Sequence, residues 1–326
     1  MVRYAAAPFN QSEQVRAETA VDEQTTTERE QERLTRARRL LEILQLERIE
    51  ENLYRGLNEA RGNYRLFGGQ VLSQALRAAC ETVTDRQAHS VHGYFMRAGD
   101  AALPVLYEVD RIRDGRSFTT RRVVAIQEGR AIFSMSVSFQ VAEEGFEHAA
   151  SMPNVPPPEE LEDDMQVAAR LRGEHPNLSP MAGRPRPFET RSVFEFGTPA
   201  WEENRLWNPV WIRFAAPLPK QEGPDDDTLA RCLLAYASDM GLVSTSLLPH
   251  AESQPRDKFQ MASLDHALWI HAPIRMDQWL LFHKHTTTAS GARGLVHAAF
   301  YDAGGGLLAS VTQEGLIREY LAPEAR

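Results

Sequence analysis

At 326 residues the chain suits one large domain or two fused ones, and either can bury a proper core. It is 42% hydrophobic and 25% charged with a net charge of −9, an ordinary globular balance that argues against non-specific nucleic-acid binding. No apolar run approaches the ~20 residues that span a bilayer, no secretory signal is visible, and the ending APEAR is not a peroxisomal address, so the expected location is cytoplasmic.

Residues 1–37 are rich in Thr, Glu, Gln and Arg. TTTEREQERLTRARR reads as a solvated helix or as disorder, and the segment is taken as a mobile polar extension. The first unit is taken to begin at residue 38, and from Leu40 the pattern tightens: LLEILQLERIEENLYRG predicts a short helix leading into a strand. FGGQVLSQALRAACETV follows, with Val71, Leu72, Ala75, Leu76 and Ala79 on one helical stripe. Gly68 and Gly69 stand at its start. They present a helix N-terminus to a ligand, or they allow tight packing on a sheet. Both readings stay open.

After Arg86 the period changes from 3.6 to 2. HSVHGYFMR, PVLYEVDRIRD, SFTTRRVVAIQ and RAIFSMSVSFQV read as four strands, with hairpin turns at Asp114–Arg116 and Glu128–Arg130. Residues 38–150 thus form a helix and an antiparallel meander. Residues 151–190 are Pro-rich and charged, with a possible helix at Met165–Leu171, and read as a linker. Over 191–326 the plan repeats. RSVFEFGT and PVWIRFAAPLP read as strands. DDDTLARCLLAYASDMG reads as a helix, with Asp225–Asp227 at its start and Gly241 as its stop. More strands follow. VHGYFMRAG from Val91 superposes on DHALWIHAP from Asp265, and AIFSMSVSFQ on LLASVTQEGL. This internal duplication predicts two α+β units whose sheets can join.

Asp239 falls in the last turn of the second helix, where the dipole disfavours a carboxylate, among large apolar neighbours. That placement makes it a candidate general base with a raised pKa; the plain alternative is an exposed Asp without a role. Ser263 and Gln313 are polar residues in strands, either ordinary polar-face residues or a hydroxyl and an amide able to hold water. Asp265 and His266 are adjacent in a strand and so point to opposite faces, which makes them a poor dyad. His283, His285 and His297 lack zinc-ligand spacing, and no G-x-S-x-G elbow occurs. No metal site is expected. Cys80 and Cys232 lie on apolar helix faces, which favours buried thiols over a disulfide.

The ordered motifs RLFGGQVLSQAL, HSVHGYFMRAGD, RDGRSFTTRRVVAIQ, LAYASDMG, ASLDHALWIH, ARG and VTQEGLIR make the chain resemble the TesB-like acyl-CoA thioesterase II family. That resemblance implies an α+β double hotdog, two tandem helix-in-sheet folds joined by the Pro-rich linker. It implies hydrolysis of fatty acyl-CoA to free fatty acid and CoA, without a cofactor, in a homodimer or homotetramer. The family's Asp, Thr or Ser, and Gln fall on Asp239, Ser263 and Gln313; many relatives have Thr where this chain has Ser263. Gly68, Gly69 and His266 are assigned to substrate binding, with His266 standing behind the reacting groups. The N-terminal half has no equivalent set, with Ser136–Ser138 near the place of Gln313. Two competing readings are a hotdog hydratase or dehydratase, which relies on a His with an acidic partner, and a non-catalytic acyl-CoA-binding protein.

Overall fold

The computed structural model describes residues 11–59, 65–171, 183–219, 227–250 and 259–319. The polar N-terminal segment is helical: α1 runs unbroken over Gln11–Ile43. Its last turns bury Ala37, Leu40 and Ile43 in the core, and Arg33 reaches Asp163 at 2.7 Å. A boundary between residues 37 and 38 therefore falls inside a helix, because the apolar stripe that docks α1 begins before it. Residues 1–10 lie outside the described residues.

Two short strands, β1 (Glu47–Glu50) and β2 (Leu53–Gly56), lead to α2 (Gly68–Cys80). The predicted four strands follow as β3 (Gln87–Phe95), β4 (Val105–Asp114), β5 (Phe118–Gln127) and β6 (Arg130–Gln140). β6 buries Phe133, Met135, Val137 and Phe139 and turns its serines outward, as the alternation requires. The turn between β5 and β6 places Glu128 and Gly129 at positive φ, which suits a tight hairpin.

The linker carries α3 (Asp164–Leu171), close to the predicted helix. One strand is displaced from expectation. β7 is Phe188–Ser192, not RSVFEFGT. The aromatics beyond Ser192 pack locally instead: Phe196 meets Trp201, on α4 (Pro199–Glu203), at 4.7 Å between ring centroids. Then come β8 (Trp207–Phe214), α5 (Thr228–Ser238), α6 (Leu242–Thr245), β9 (Phe259–Ser263), β10 (Asp265–Ile270), β11 (Leu280–Ser290), β12 (Arg293–Asp302) and β13 (Leu307–Glu319). Asp225 and Asp226 lie outside the described residues; Asp227 begins α5 and pairs with Arg231 at 2.5 Å.

The strands form one sheet in the order β1-β2-β4-β5-β6-β3-β10-β13-β12-β11-β8-β7, with β9 on the far end of β13. The order reads outward from the β3–β10 seam in mirrored fashion, so the duplication is real and its two sheets are joined. α2 and α5 pack against each other, burying Leu72, Ala75 and Leu76 with Leu233, Leu234 and Tyr236 in one core.

The superposition of Val91 on Asp265, however, slips the strand faces. Val91 and Gly93 point inward on β3, whereas His266 and Leu268 do so on β10. Matching His92 to His266 pairs an exposed side chain with a buried one, and an odd slip exchanges every face. Ser136 and Ser138 likewise point outward, so they do not correspond to inward-facing Gln313. The inward positions of β6 are apolar.

Candidate active site

α5 ends because Gly241 adopts a left-handed φ of +77°, and Asp239 is left as the C-cap. Its carboxylate is buried at the negative end of the helix, 7% exposed. Burial raises its pKa from 3.8 to about 6, and hydrogen bonds from Ser263, Gln313 and the Gly69 backbone pull the other way without cancelling it.

Ser263 ends β9. Leu264 then steps out of the strand, its N–H donating to the Glu314 carbonyl at 3.0 Å, before the chain resumes as β10. That step brings the Ser263 hydroxyl onto Asp239, where it donates to Oδ1 at 3.0 Å. Gln313 lies on the inward face of β13 between Val311 and Gly315. Its Nε2 donates to Ser263 Oγ at 2.8 Å, and its Oε1 lies 2.5 Å from His266 Nδ1. His266 Nε2 lies 2.9 Å from Ser238 Oγ. Asp265 faces the opposite way and accepts the Glu314 N–H at 2.7 Å, so Asp265 and His266 form no dyad.

The two glycines permit close packing, but of α2 on α5 and not on the sheet, and Gly68 lines the cavity described below while Gly69 does not. A Cβ on Gly68 would stand 2.7 Å from Asp239 Oδ2, and one on Gly69 would stand 2.5 Å from the Tyr236 carbonyl. Close packing of α2 on α5 thus brings the α2 N-terminus to Asp239. The positive end of one helix faces a carboxylate stranded at the negative end of the other.

A cavity of about 750 Å³ opens over this cluster. Asp239, Ser263 and Gly68 line it, with Leu66, Val71 and Phe133 from the first half and Tyr236, Met240 and Met261 from the second. Gln313 and His266 are 1% exposed and stand behind Ser263, away from the cavity wall. His266 therefore does not touch the space a substrate would fill, because its ring is enclosed between Gln313 and Ser238. His92 points outward and packs edge-on against Trp269 at 4.9 Å. Neither histidine offers the cavity the base that a hydratase needs.

Sequence reasoning missed Ser238, whose signal was a hydroxyl inside a buried apolar stripe. It also passed over Arg65, Arg97 and Arg186, which line the cavity and look locally like any other arginine. His283 and His285 stack on Trp207 on the outer face of the sheet. Among the described residues no group of three or more His, Cys, Asp or Glu side chains is arranged to hold a metal ion, and no helix is long and apolar enough to cross a membrane. Cys232 is buried and Cys80 half-buried, both as free thiols.

Comparison with known proteins agrees with this architecture on both halves. Residues 59–140 match the acyl-CoA thioesterase N-terminal domain, and residues 208–316 match the acyl-CoA thioesterase family. The chain is 40% identical over 290 residues to acyl-coenzyme A thioesterase 8 of Rattus norvegicus, covering 85% of this chain and 88% of the relative. It is 36% identical over 285 residues to acyl-CoA thioesterase 2 of Haemophilus influenzae, covering 86% and 96%. The crystal structure of acyl-CoA thioesterase II TesB2 from Mycobacterium marinum superposes with a TM-score of 0.71 at 39% identity, covering 86% of this chain and 98% of that one. Two fused helix-in-sheet units, and relatives at this identity across nearly their whole length, place this chain in the acyl-CoA thioesterase family: it is a TesB-like thioester hydrolase with the double-hotdog fold.

Proposed function

We propose that Asp239 is the base that activates water for attack on the thioester carbonyl, with Ser263 orienting the carboxylate at the cavity wall and Gln313 anchoring Ser263 from behind, out of reach of the water itself. The observation that carries this reading is a buried carboxylate on the cavity wall with its pKa lifted to about 6, hydrogen-bonded to a hydroxyl that is itself held by an amide. A base is most effective when its pKa lies near the working pH, and this lift moves Asp239 in that direction. Water gives a proton to Asp239 as its oxygen adds to the carbonyl carbon. The C–S bond then breaks, CoA leaves as the thiol after regaining a proton, and the fatty acid remains. A thioester is already an activated acyl group, so the reaction needs no covalent nucleophile. The oxyanion also needs a donor; the Gly69 N–H is bonded to Asp239 and those of Gln70 and Val71 to the Phe67 carbonyl, so the backbone N–H of Gly68, on the cavity wall, is the candidate in the first turn of α2.

The apolar cavity lining fits a fatty acyl chain. On this reading the C-terminal unit, residues 191–326, carries the reacting groups, and the N-terminal unit contributes α2 and one wall. A homodimer or homotetramer is proposed on the resemblance to the family alone. A cytoplasmic location suits an enzyme whose substrate is acyl-CoA.

Thiol release from a medium-chain acyl-CoA tests the assignment. Asp239→Asn and Gln313→Ala are each expected to lose about 10²–10⁴-fold in kcat, with circular dichroism like the parent's and, for Asp239→Asn, a Tm no lower. Near-parental turnover in either variant contradicts the reading.

A further inference from the structure

The hydrogen bonds behind Asp239 have a direction, and that direction can be worked out atom by atom. An ionised carboxylate only accepts, so the Ser263 hydroxyl, 3.0 Å from Asp239 Oδ1, commits its single proton there. Ser263 Oγ must then accept from its other neighbour, which makes the group 2.8 Å away the NH₂ end of Gln313. The amide oxygen of Gln313 is thereby turned to His266 Nδ1 at 2.5 Å. That oxygen also only accepts, so Nδ1 carries a proton. His266 is buried and its burial pushes its pKa down to about 4, so the ring is neutral and Nε2 is bare. Ser238 Oγ, 2.9 Å away, completes the line by donating to Nε2. Its competing acceptor is the Ala235 carbonyl, also at 2.9 Å.

The reverse orientation is excluded while Asp239 is charged. A flipped Gln313 would ask Ser263 to donate one proton to two acceptors. Reversal becomes possible when Asp239 is protonated, for then the carboxyl can donate to Ser263 and every bond in the line can turn round. The ring's proton at Nδ1 opposes that reversal and so favours the ionised base. Asp265 is the charged neighbour acting on the ring among the described residues, and it lies on the other face of β10. No described charge acts on Asp239 besides the hydrogen-bonding groups named above.

We propose that His266 is a positioning residue: its Nδ1–H fixes the amide orientation of Gln313, which keeps the Ser263 proton on Asp239 and the base ionised. The inference rests on the assignment of Asp239, Ser263 and Gln313 to the reaction. It removes His266 from substrate binding and gives Ser238, which does not line the cavity, a part in the same line.

The test compares three variants in the full chain, using thiol release from a medium-chain acyl-CoA across pH. His266→Leu removes the donor. It is expected to lower kcat by about tenfold to a hundredfold, the kinetic equivalent of leaving a buried acceptor unpaired, with little change in KM. The acid limb of kcat/KM should move to higher pH, since the carboxylate loses support for its ionised form. His266→Asn places an amide N–H where Nδ1 stood, and it should recover most of the lost kcat and return the limb towards the parent position. Ser238→Ala frees Nε2 to take the proton, and it should move the limb in the same direction by a smaller amount. This third variant keeps the test open if the leucine substitution impairs folding. A parental kcat and limb in His266→Leu overturns the inference. So do equal losses in His266→Leu and His266→Asn with the limb unmoved, since that pattern marks a packing role only. If Asp239→Asn and Gln313→Ala lose turnover as expected while His266→Leu keeps the parental kcat and acid limb, only the part given to His266 fails; if Asp239→Asn and Gln313→Ala retain turnover, the underlying assignment fails.

Discussion

Asp239 holds its charge at a cost. It is buried, it sits at the negative end of α5, and its partners offset that burden only in part, leaving a pKa near 6 instead of 3.8. Because the folded-state value is raised, the folded enzyme binds this proton more tightly than the unfolded chain between pH 3.8 and about 6. The contribution of Asp239 to stability therefore falls as pH rises through that window. Catalysis runs the opposite way: kcat/KM is expected to climb with pH through about 6 as the base ionises, then level off. A pH profile with its acid limb near 4 would contradict the raised value. That Asp239, Ser263 and Gln313 stand apart from their surroundings was legible in the sequence, because each is a polar group set against an apolar pattern, and the structure joins them by hydrogen bonds; their catalytic role is the proposal above. His266 was legible as a residue but not as a role. Its adjacency to Asp265 and its false alignment with His92 both concealed that it faces inward, and a face in a strand is decided by a single residue of register.

α2 and α5 are packed closely enough that two glycines are required between them. A Cβ on Gly69 would collide with the Tyr236 carbonyl, a backbone atom that cannot move without separating the helices. Gly69→Ala is expected to cost about 1–3 kcal/mol of stability, read as a lower Tm. At Gly68 the obstacle is the Asp239 carboxylate, which can swing aside. Gly68→Ala should therefore reduce kcat more than it lowers Tm, and an unchanged kcat would mean the carboxylate's position against α2 does not matter. Both helices and the strands β3–β6 were legible from periodicity, since each repeats apolar residues on its buried side, although β4 loses that face after Val109, where Arg111 and Arg113 are exposed. β7 was not. Val193, Phe194 and Phe196 are strand-like in composition, yet the chain leaves the sheet at Ser192 and Phe196 packs on Trp201. α1 was ambiguous for a related reason: its polar length hides the short stripe Ala37, Leu40 and Ile43 that docks it.

At the scale of the whole molecule, two copies of one fold share a sheet across the β3–β10 seam, and the α2 N-terminus of the first meets a polar cluster that the end of α5 builds with β9, β10 and β13 of the second. On the proposed mechanism, duplication leaves one copy without reacting groups. The first keeps apolar residues on the inward face of β6 and contributes the α2 N-terminus and a cavity wall, while the second carries Asp239, Ser263 and Gln313. The central claim is that water, activated by Asp239, attacks the thioester directly. A single turnover in oxygen-18 water, with enzyme in excess over acyl-CoA, tests it most directly. Direct attack predicts that the first fatty acid released carries oxygen-18 and that Asp239 acquires none. An unlabelled acid together with oxygen-18 in the Asp239 carboxylate would show an acyl–aspartyl anhydride instead, and would contradict the account.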